Sequence, residues 1–370
     1  MQRASNDDPI VGGFAQSYRQ ARDHFLAAAE GAAMPVHAHR HPLLGVDGEE
    51  LALDVGRLGA ADAQAVLIVS SGCHGVEGFC GSGIQVALLR DAPFLQAARQ
   101  AGVALLFVHG LNPWGFSWWR RTTQENVDLN RNFVDFRAPL PVNADYLELA
   151  RALVPATWPP PPAAEQAIAE FIARRGPMAF QGAVSRGQHD DPEGLFYAGT
   201  SPTWSHVAWR HVLQDHARRC SRLALIDLHT GLGPSGHGER IFAARDDAAT
   251  LARARAWWGE AVTSIYDGSS SSARLSGMIF EAIYDECPQA QYTGIALEYG
   301  TLPLPEVMRA LRADQWLENH PETAGAQRSA IKRATRDAFY TDTPTWKRQV
   351  VAQAREAAVQ ALQGLGARAQ

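Results

Sequence analysis

The apolar run Ala65-Val66-Leu67-Ile68-Val69-Ser70-Ser71 leads directly into Gly72-Cys73-His74-Gly75-Val76-Glu77-Gly78. So short and largely apolar a run reads as a buried strand, which commits the chain to a sheet covered by other elements. A histidine and a glutamate three positions apart at its end supply half of a zinc site. Hydrolytic zinc sites take three protein ligands of the His/His/carboxylate kind, so a second histidine must arrive from elsewhere. His229 is the candidate, at the end of another apolar run, Leu223-Ala224-Leu225-Ile226-Asp227-Leu228-His229, before a glycine-rich turn. Open α/β sheets hold ligands at the carboxyl ends of their strands, so two such strands ending at one edge would bring His74, Glu77 and His229 together.

Strand and helix patterns alternate along the chain. Residues 43–59 hold Asp47-Gly48 between apolar residues, the signature of a tight hairpin, so the first two strands are expected to be antiparallel. A helical pattern over 83–98 followed by the apolar run 103–109 indicates a parallel crossover. Further helices are expected at 18–33, 163–175, 203–219, 246–265, 305–319 and 346–362, and a strand at 292–299. The expected fold is α/β, with a mixed, mostly parallel central sheet flanked by helices on both faces. One domain spanning 1–370 is expected, with 139–202 a proline-rich excursion near the rim of the site. Within it, Pro159-Pro160-Pro161-Pro162 interrupts regular structure before the next helix.

Composition narrows the function. A net charge of -5 over 370 residues, with no basic run interleaved with aromatics, points away from nucleic acid. No apolar stretch approaches the roughly 20 residues of a membrane helix. The N-terminus lacks the basic-then-apolar pattern of a secretory signal, so a cytoplasmic location is expected. Cys73, Cys80, Cys220 and Cys287 form no short metal-binding spacing and read as reduced thiols. Cys73 adjoins His74, but neighbouring side chains on extended backbone point to opposite faces, so it reads as a buried structural thiol.

Between the two ligand strands lie Asn112-Pro113-Trp114-Gly115-Phe116, Trp119-Arg120-Arg121-Thr122 and Val127-Asp128-Leu129-Asn130-Arg131-Asn132-Phe133. With the His-x-x-Glu pair, this order of motifs over roughly residues 65 to 300 resembles the zinc carboxypeptidase clan, the carboxypeptidase A-like metallopeptidases. The resemblance implies one zinc per chain on His74, Glu77 and His229, and Glu298 in Ile295-Ala296-Leu297-Glu298-Tyr299-Gly300 as the carboxylate that activates water. It implies Arg120 as the arginine that stabilises the oxyanion, with Arg121 the alternative. Asn130 and Arg131 would hold a substrate carboxylate, and Asp128 would orient His74. Tyr284 would be the tyrosine that closes over substrate, although it stands only 14 residues before Glu298. Gly72-Cys73-His74-Gly75-Val76-Glu77, Asp-Leu-Asn-Arg and Asp227-Leu228-His229 also resemble the aspartoacylase and succinylglutamate desuccinylase group of that clan.

These assignments are chemically coherent. A base beside the metal accepts the proton of the attacking water and returns it to the departing nitrogen, as Glu298 would. A guanidinium aimed at the developing oxyanion stabilises it more than the neutral substrate. Arginine rather than lysine suits a planar carboxylate, hence Arg131. Ligand histidines donate their second nitrogen to a carboxylate, hence Asp128 for His74, and Asp227 shares a strand face with His229. The expectation is a zinc-dependent amide hydrolase, carboxypeptidase-like, removing a C-terminal residue from a peptide or small peptide-like substrate with a free carboxylate. An N-acyl amino acid deacylase, or an inactive ligand-binding relative, is the alternative.

Overall fold

The computed structural model describes residues 8–322 and 325–367. Its sheet is built from β1 (Val36–Leu44), β2 (Glu50–Leu58), β3 (Ala65–Ser71), β4 (Val103–His109), β5 (Arg222–Ser235), β6 (Gly238–Phe242) and β7 (Gln291–Gly300). Across the sheet the order is β1-β2-β4-β3-β5-β7-β6. The inner four strands, β4, β3, β5 and β7, are mutually parallel, while β1, β2 and β6 pair antiparallel at the two sides. Helices surround this mixed sheet, as the strand–helix alternation predicts. Every residue of β3 and β4 is buried, the signature of parallel strands covered on both faces.

Local sequence explains most boundaries. Gly48 adopts φ +72° in the β1–β2 turn, the conformation that Asp-Gly favours. The helix expected over 83–98 is two helices, Gly78–Arg90 and Ala92–Ala101, because Asp91 caps the second by accepting from Phe94 N and Pro93 starts it. The helix expected over 246–265 is shorter, Ala248–Trp258, ending where Gly259 turns to φ +93°. Residues 139–202 hold three helices, Ala144–Leu153, Pro162–Arg175 and Pro177–Ser185. Their apolar faces pack together around Tyr146, Leu149, Phe171 and Val184, against Val307 and Leu311 of the helix Leu304–Asn319.

The chain leaves β3 for β4 on one side and reaches β5 on the other, so the carboxyl end of β3 is a point where strand order reverses. Crevices form at such points. No helix among the described residues is long and apolar enough to cross a membrane. All four cysteines are buried and free.

Candidate active site

His74 follows β3 by three residues and starts a turn of 3-10 helix, Gly75–Glu77, that brings Glu77 beneath it. The turn is pinned from behind, since Gly75 N donates to Arg121 O (3.1 Å) and Val76 N to Arg120 O (2.8 Å). A Cβ on Gly75 would lie 2.1 Å from the carbonyl carbon of Gly115, so only glycine allows this approach. His229, on β5, sits in register with Glu298 of parallel neighbour β7, which sets both side chains on one face of the sheet.

His74, Glu77 and His229 converge there, with one potential ligand atom from each lying within 4.8 Å of the others. His74 Nδ1 is 2.9 Å from Glu77 Oε1 and 3.2 Å from His229 Nδ1, and His229 Nδ1 is 3.1 Å from Glu77 Oε2. Both rings turn Nε2 outward onto a carboxylate, Asp128 Oδ1 for His74 (3.2 Å) and Asp227 Oδ2 for His229 (2.5 Å). Asp227 is itself steadied by the Ser70 hydroxyl, which donates to Oδ1 at 2.6 Å. Two inward nitrogens and a carboxylate, with outward nitrogens held by carboxylates, fit a divalent cation of the zinc type.

The charges respond to this crowding. Burial opposes the ionised form of Glu77, yet the two histidines beside it outweigh that cost and hold its carboxyl well below the usual range. Burial likewise disfavours charge on His229, but Asp227 and Glu77 raise its affinity for a proton well above the ordinary histidine value. The cluster is thus a cation-seeking pocket. Glu298 behaves in the opposite way: burial, then the charge of Glu77, push it up to about 8, although Leu232 N donates to Oε1 at 3.0 Å. A carboxyl poised there can both take and return a proton near neutral pH.

The two arginines divide differently from the sequence expectation. Arg120 turns away from the cluster: its Nε donates to Asp314 (2.9 Å), and its Nη2 donates to Asn126 (3.1 Å) and Gln315 (3.0 Å). Arg121 enters instead, donating to Asp128 Oδ2 (3.0 Å) and Glu77 Oε1 (3.2 Å), with its Nη2 lying 2.8 Å from His74 Nε2. The cause is local. Trp119 takes φ +53°, turning the chain just before Arg120, and the buried Asp314 captures that guanidinium behind the cluster.

Asp128 is held ionised; burial opposes this, but Arg121, Arg131 and His74 outweigh it. Asn130 and Arg131 line the same cavity as the triad. Asn130 Oδ1 accepts from Ile279 N at 2.9 Å. Arg131 is committed through Nε to Ser185 O (2.7 Å) and through Nη1 to Asn130 O (2.9 Å). Tyr284 is not at the cavity, in contrast to the expectation. It lies on the short helix Glu281–Glu286, packed edge-on against Tyr292 at 5.5 Å, with Arg245 over its ring and Arg245 N donating to its hydroxyl at 3.0 Å. The short spacing to β7 binds that helix to the strand's start, and Met278, six residues earlier, lines the cavity.

Phe196 has no sequence signal. It holds φ +52°, rare for a bulky residue, and its ring lies 4.9 Å from the Arg121 guanidinium and 5.8 Å from that of Arg131. The cavity over the cluster measures about 440 Å³, and its walls include the helices Pro162–Arg175, Pro177–Ser185 and Leu304–Asn319.

Known structures share the architecture. The thrombin-activatable fibrinolysis inhibitor superposes with TM-score 0.52 at 11% identity, over 99% of this chain and 79% of its own. Weaker likeness extends to carboxypeptidase A from Helicoverpa armigera (TM-score 0.44, 12% identity, 90% of this chain and 77% of that one). It extends also to a Shewanella amazonensis protein described as belonging to the succinylglutamate desuccinylase/aspartoacylase family (0.36, 17%, 78% and 73%). The fold is therefore that of the zinc carboxypeptidases. No curated protein matches the chain in sequence. Residues 14–353 match the family described as protein of unknown function (DUF2817), and the chain belongs to that family.

Proposed function

We propose that this chain is a zinc-dependent amide hydrolase that cleaves next to a residue bearing a free carboxylate, in the manner of a carboxypeptidase. One observation carries the reading: His74 Nδ1, Glu77 and His229 Nδ1 face one another with both outward nitrogens on carboxylates, and Glu298 borders the same cavity. When bound, the metal would polarise the carbonyl and lower the pKa of water. The residues do the rest. Glu298 accepts the proton from water and delivers it to the departing nitrogen. Arg121, not Arg120, is the guanidinium within reach of the developing oxyanion. Arg131 offers its uncommitted Nη2 to the substrate carboxylate beside Asn130, while Asp128 and Asp227 hold the ligand histidines in one tautomer and direction.

A second reading, an N-acyl amino acid deacylase, is favoured by the distance of Tyr284 from the cavity, since a closing tyrosine supported the peptidase. A binder without turnover would need no base, which argues against the inactive alternative. A cytoplasmic location belongs to the same proposal and draws support from four buried free thiols.

The test is elemental analysis of purified protein with His74→Ala and His229→Ala, combined with assays on blocked dipeptides and N-acyl amino acids. About one zinc per chain, lost in both variants, with turnover abolished in Glu298→Gln while metal is kept, is the expected result. Metal retained in both histidine variants, or near-normal turnover in Glu298→Gln, overturns the proposal.

A further inference from the structure

Away from the cluster, three helices each line the cavity with an apolar pair at helical spacing. They are Ile168 and Ile172, Phe180 and Val184, and Val307 and Leu311. Ile168, Ile172 and Phe180 are only half-buried: Ile168 and Phe180 pack on one side against the apolar cluster around Phe171, and all three leave apolar surface lining the cavity. Leu275 and Met278 extend the same lining on the opposite bank.

The polar side chains on these walls are already engaged. Gln181 donates to Ser271 O (2.8 Å), Ser185 Oγ to Gln181 O (2.7 Å) and Thr230 Oγ1 to Phe339 O (2.7 Å). Arg312 is spent on Leu153 O, Ala152 O and Glu165. Arg309 is the exception, exposed at the mouth. A polar group entering this space would lose water without gaining partners, whereas hydrocarbon loses nothing. At about 440 Å³ the space falls within the range of roughly 300–1,000 Å³ typical of small-molecule sites.

We infer that the substrate is a carboxylate-bearing amide whose variable group is bulky hydrocarbon, housed between the helices Pro162–Arg175, Pro177–Ser185 and Leu304–Asn319. This inference rests on the hydrolase reading for the amide and on the chamber alone for the hydrocarbon. The hydrocarbon is either a medium-length acyl chain, as the deacylase reading has it, or a large aliphatic or aromatic side chain, as the peptidase reading has it.

Two substrate series on the zinc-loaded protein distinguish these sources: N-acyl amino acids with acyl chains of increasing length, and blocked dipeptides with side chains from alanine to phenylalanine. Burial of each added methylene should raise kcat/KM by up to about fourfold until the chamber is full, in one series and not the other. Calorimetric binding of the same compounds to Glu298→Gln should show affinity and a negative heat-capacity change that both grow with hydrocarbon size. Ile172→Trp, which fills part of the chamber, should compress the ratio between the largest and smallest compounds by tenfold or more. Growing affinity without turnover in the wild type would sink the hydrolase reading and keep the chamber. Turnover or affinity that is flat, or falls with hydrocarbon size, would overturn the inference.

Discussion

Asp314 offers a quantitative test of why Arg120 and Arg121 separate. Its carboxylate is buried between two cations, with Arg120 Nε at 2.9 Å and Lys332 Nζ at 2.7 Å, and all three side chains are nearly inaccessible. Asp314→Asn keeps the shape but leaves Arg120 and Lys332 buried with less compensation. Breaking a buried pair by removing one partner costs about 3–5 kcal/mol. The low end applies because Lys332 retains Glu318 at 2.8 Å and Arg120 retains Asn126 and Gln315. A loss of about 3 kcal/mol lowers the folded-to-unfolded ratio by roughly two orders of magnitude. Urea denaturation would read it as a lower midpoint with unchanged slope. Protonation supplies a second reading. Burial pushes the Asp314 carboxyl up, but Lys332 and Arg120 outweigh it and hold the pKa below the usual value. The stability it contributes is therefore complete above about pH 4 and is lost as pH falls through the lower folded value, so wild type and variant should converge in acid. A double-mutant cycle with Arg120→Met should give a coupling above about 1 kcal/mol. A loss under about 1 kcal/mol, independent of pH, would refute the view that this ion cluster anchors the segment whose carbonyls hold the His74 turn.

Other consequences follow from single contacts. Asp227→Asn should weaken zinc binding roughly 10- to 100-fold in a chelator competition, since His229 loses the acceptor that fixes its tautomer; unchanged affinity would remove Asp227 from the site. Phe196→Leu removes the aromatic face under Arg121 and Arg131, each contact worth about 1 kcal/mol, and should lower kcat/KM by roughly tenfold or more with Phe196→Tyr restoring it. Equal loss in both variants would indicate a packing role only. Burial pushes His109 down to about 3, so it stays neutral in the fold while the unfolded chain protonates near pH 6.5. As pH falls below about 6.5 this group alone should cost roughly 1.4 kcal/mol of stability per unit until its folded value is reached, and His109→Gln should flatten that part of the acid denaturation profile.

Much of the scaffold was legible in the residues because periodicity is local. The largely apolar runs at 65–71 and 103–109 become β3 and β4, and Asp47-Gly48 makes the hairpin turn. His74, Glu77 and His229 were readable as partners because strand ends in a parallel sheet share an edge, and the register of β5 with β7 then aligns His229 with Glu298. Arg120 and Arg121 were not separable by such reasoning. They are adjacent, identical in chemistry and outside regular structure, so no period assigns them to faces; a positive φ at Trp119 and a carboxylate 194 residues away decide which one enters the site. Tyr284 was misplaced for a related reason, since spacing to Glu298 specifies contour length but not the direction of a short helix. Phe196 and the apolar chamber lay beyond sequence reading altogether. The first depends on a strained backbone held by neighbours, and the second on three helices whose lining residues show only ordinary helical apolar spacing. What the sequence determined was the sheet and the convergence of His74, Glu77 and His229 at its edge, because those follow from short-range pattern. What only the tertiary structure decided was the cation beside them and the space around them, because both arise from contacts between segments far apart in the chain.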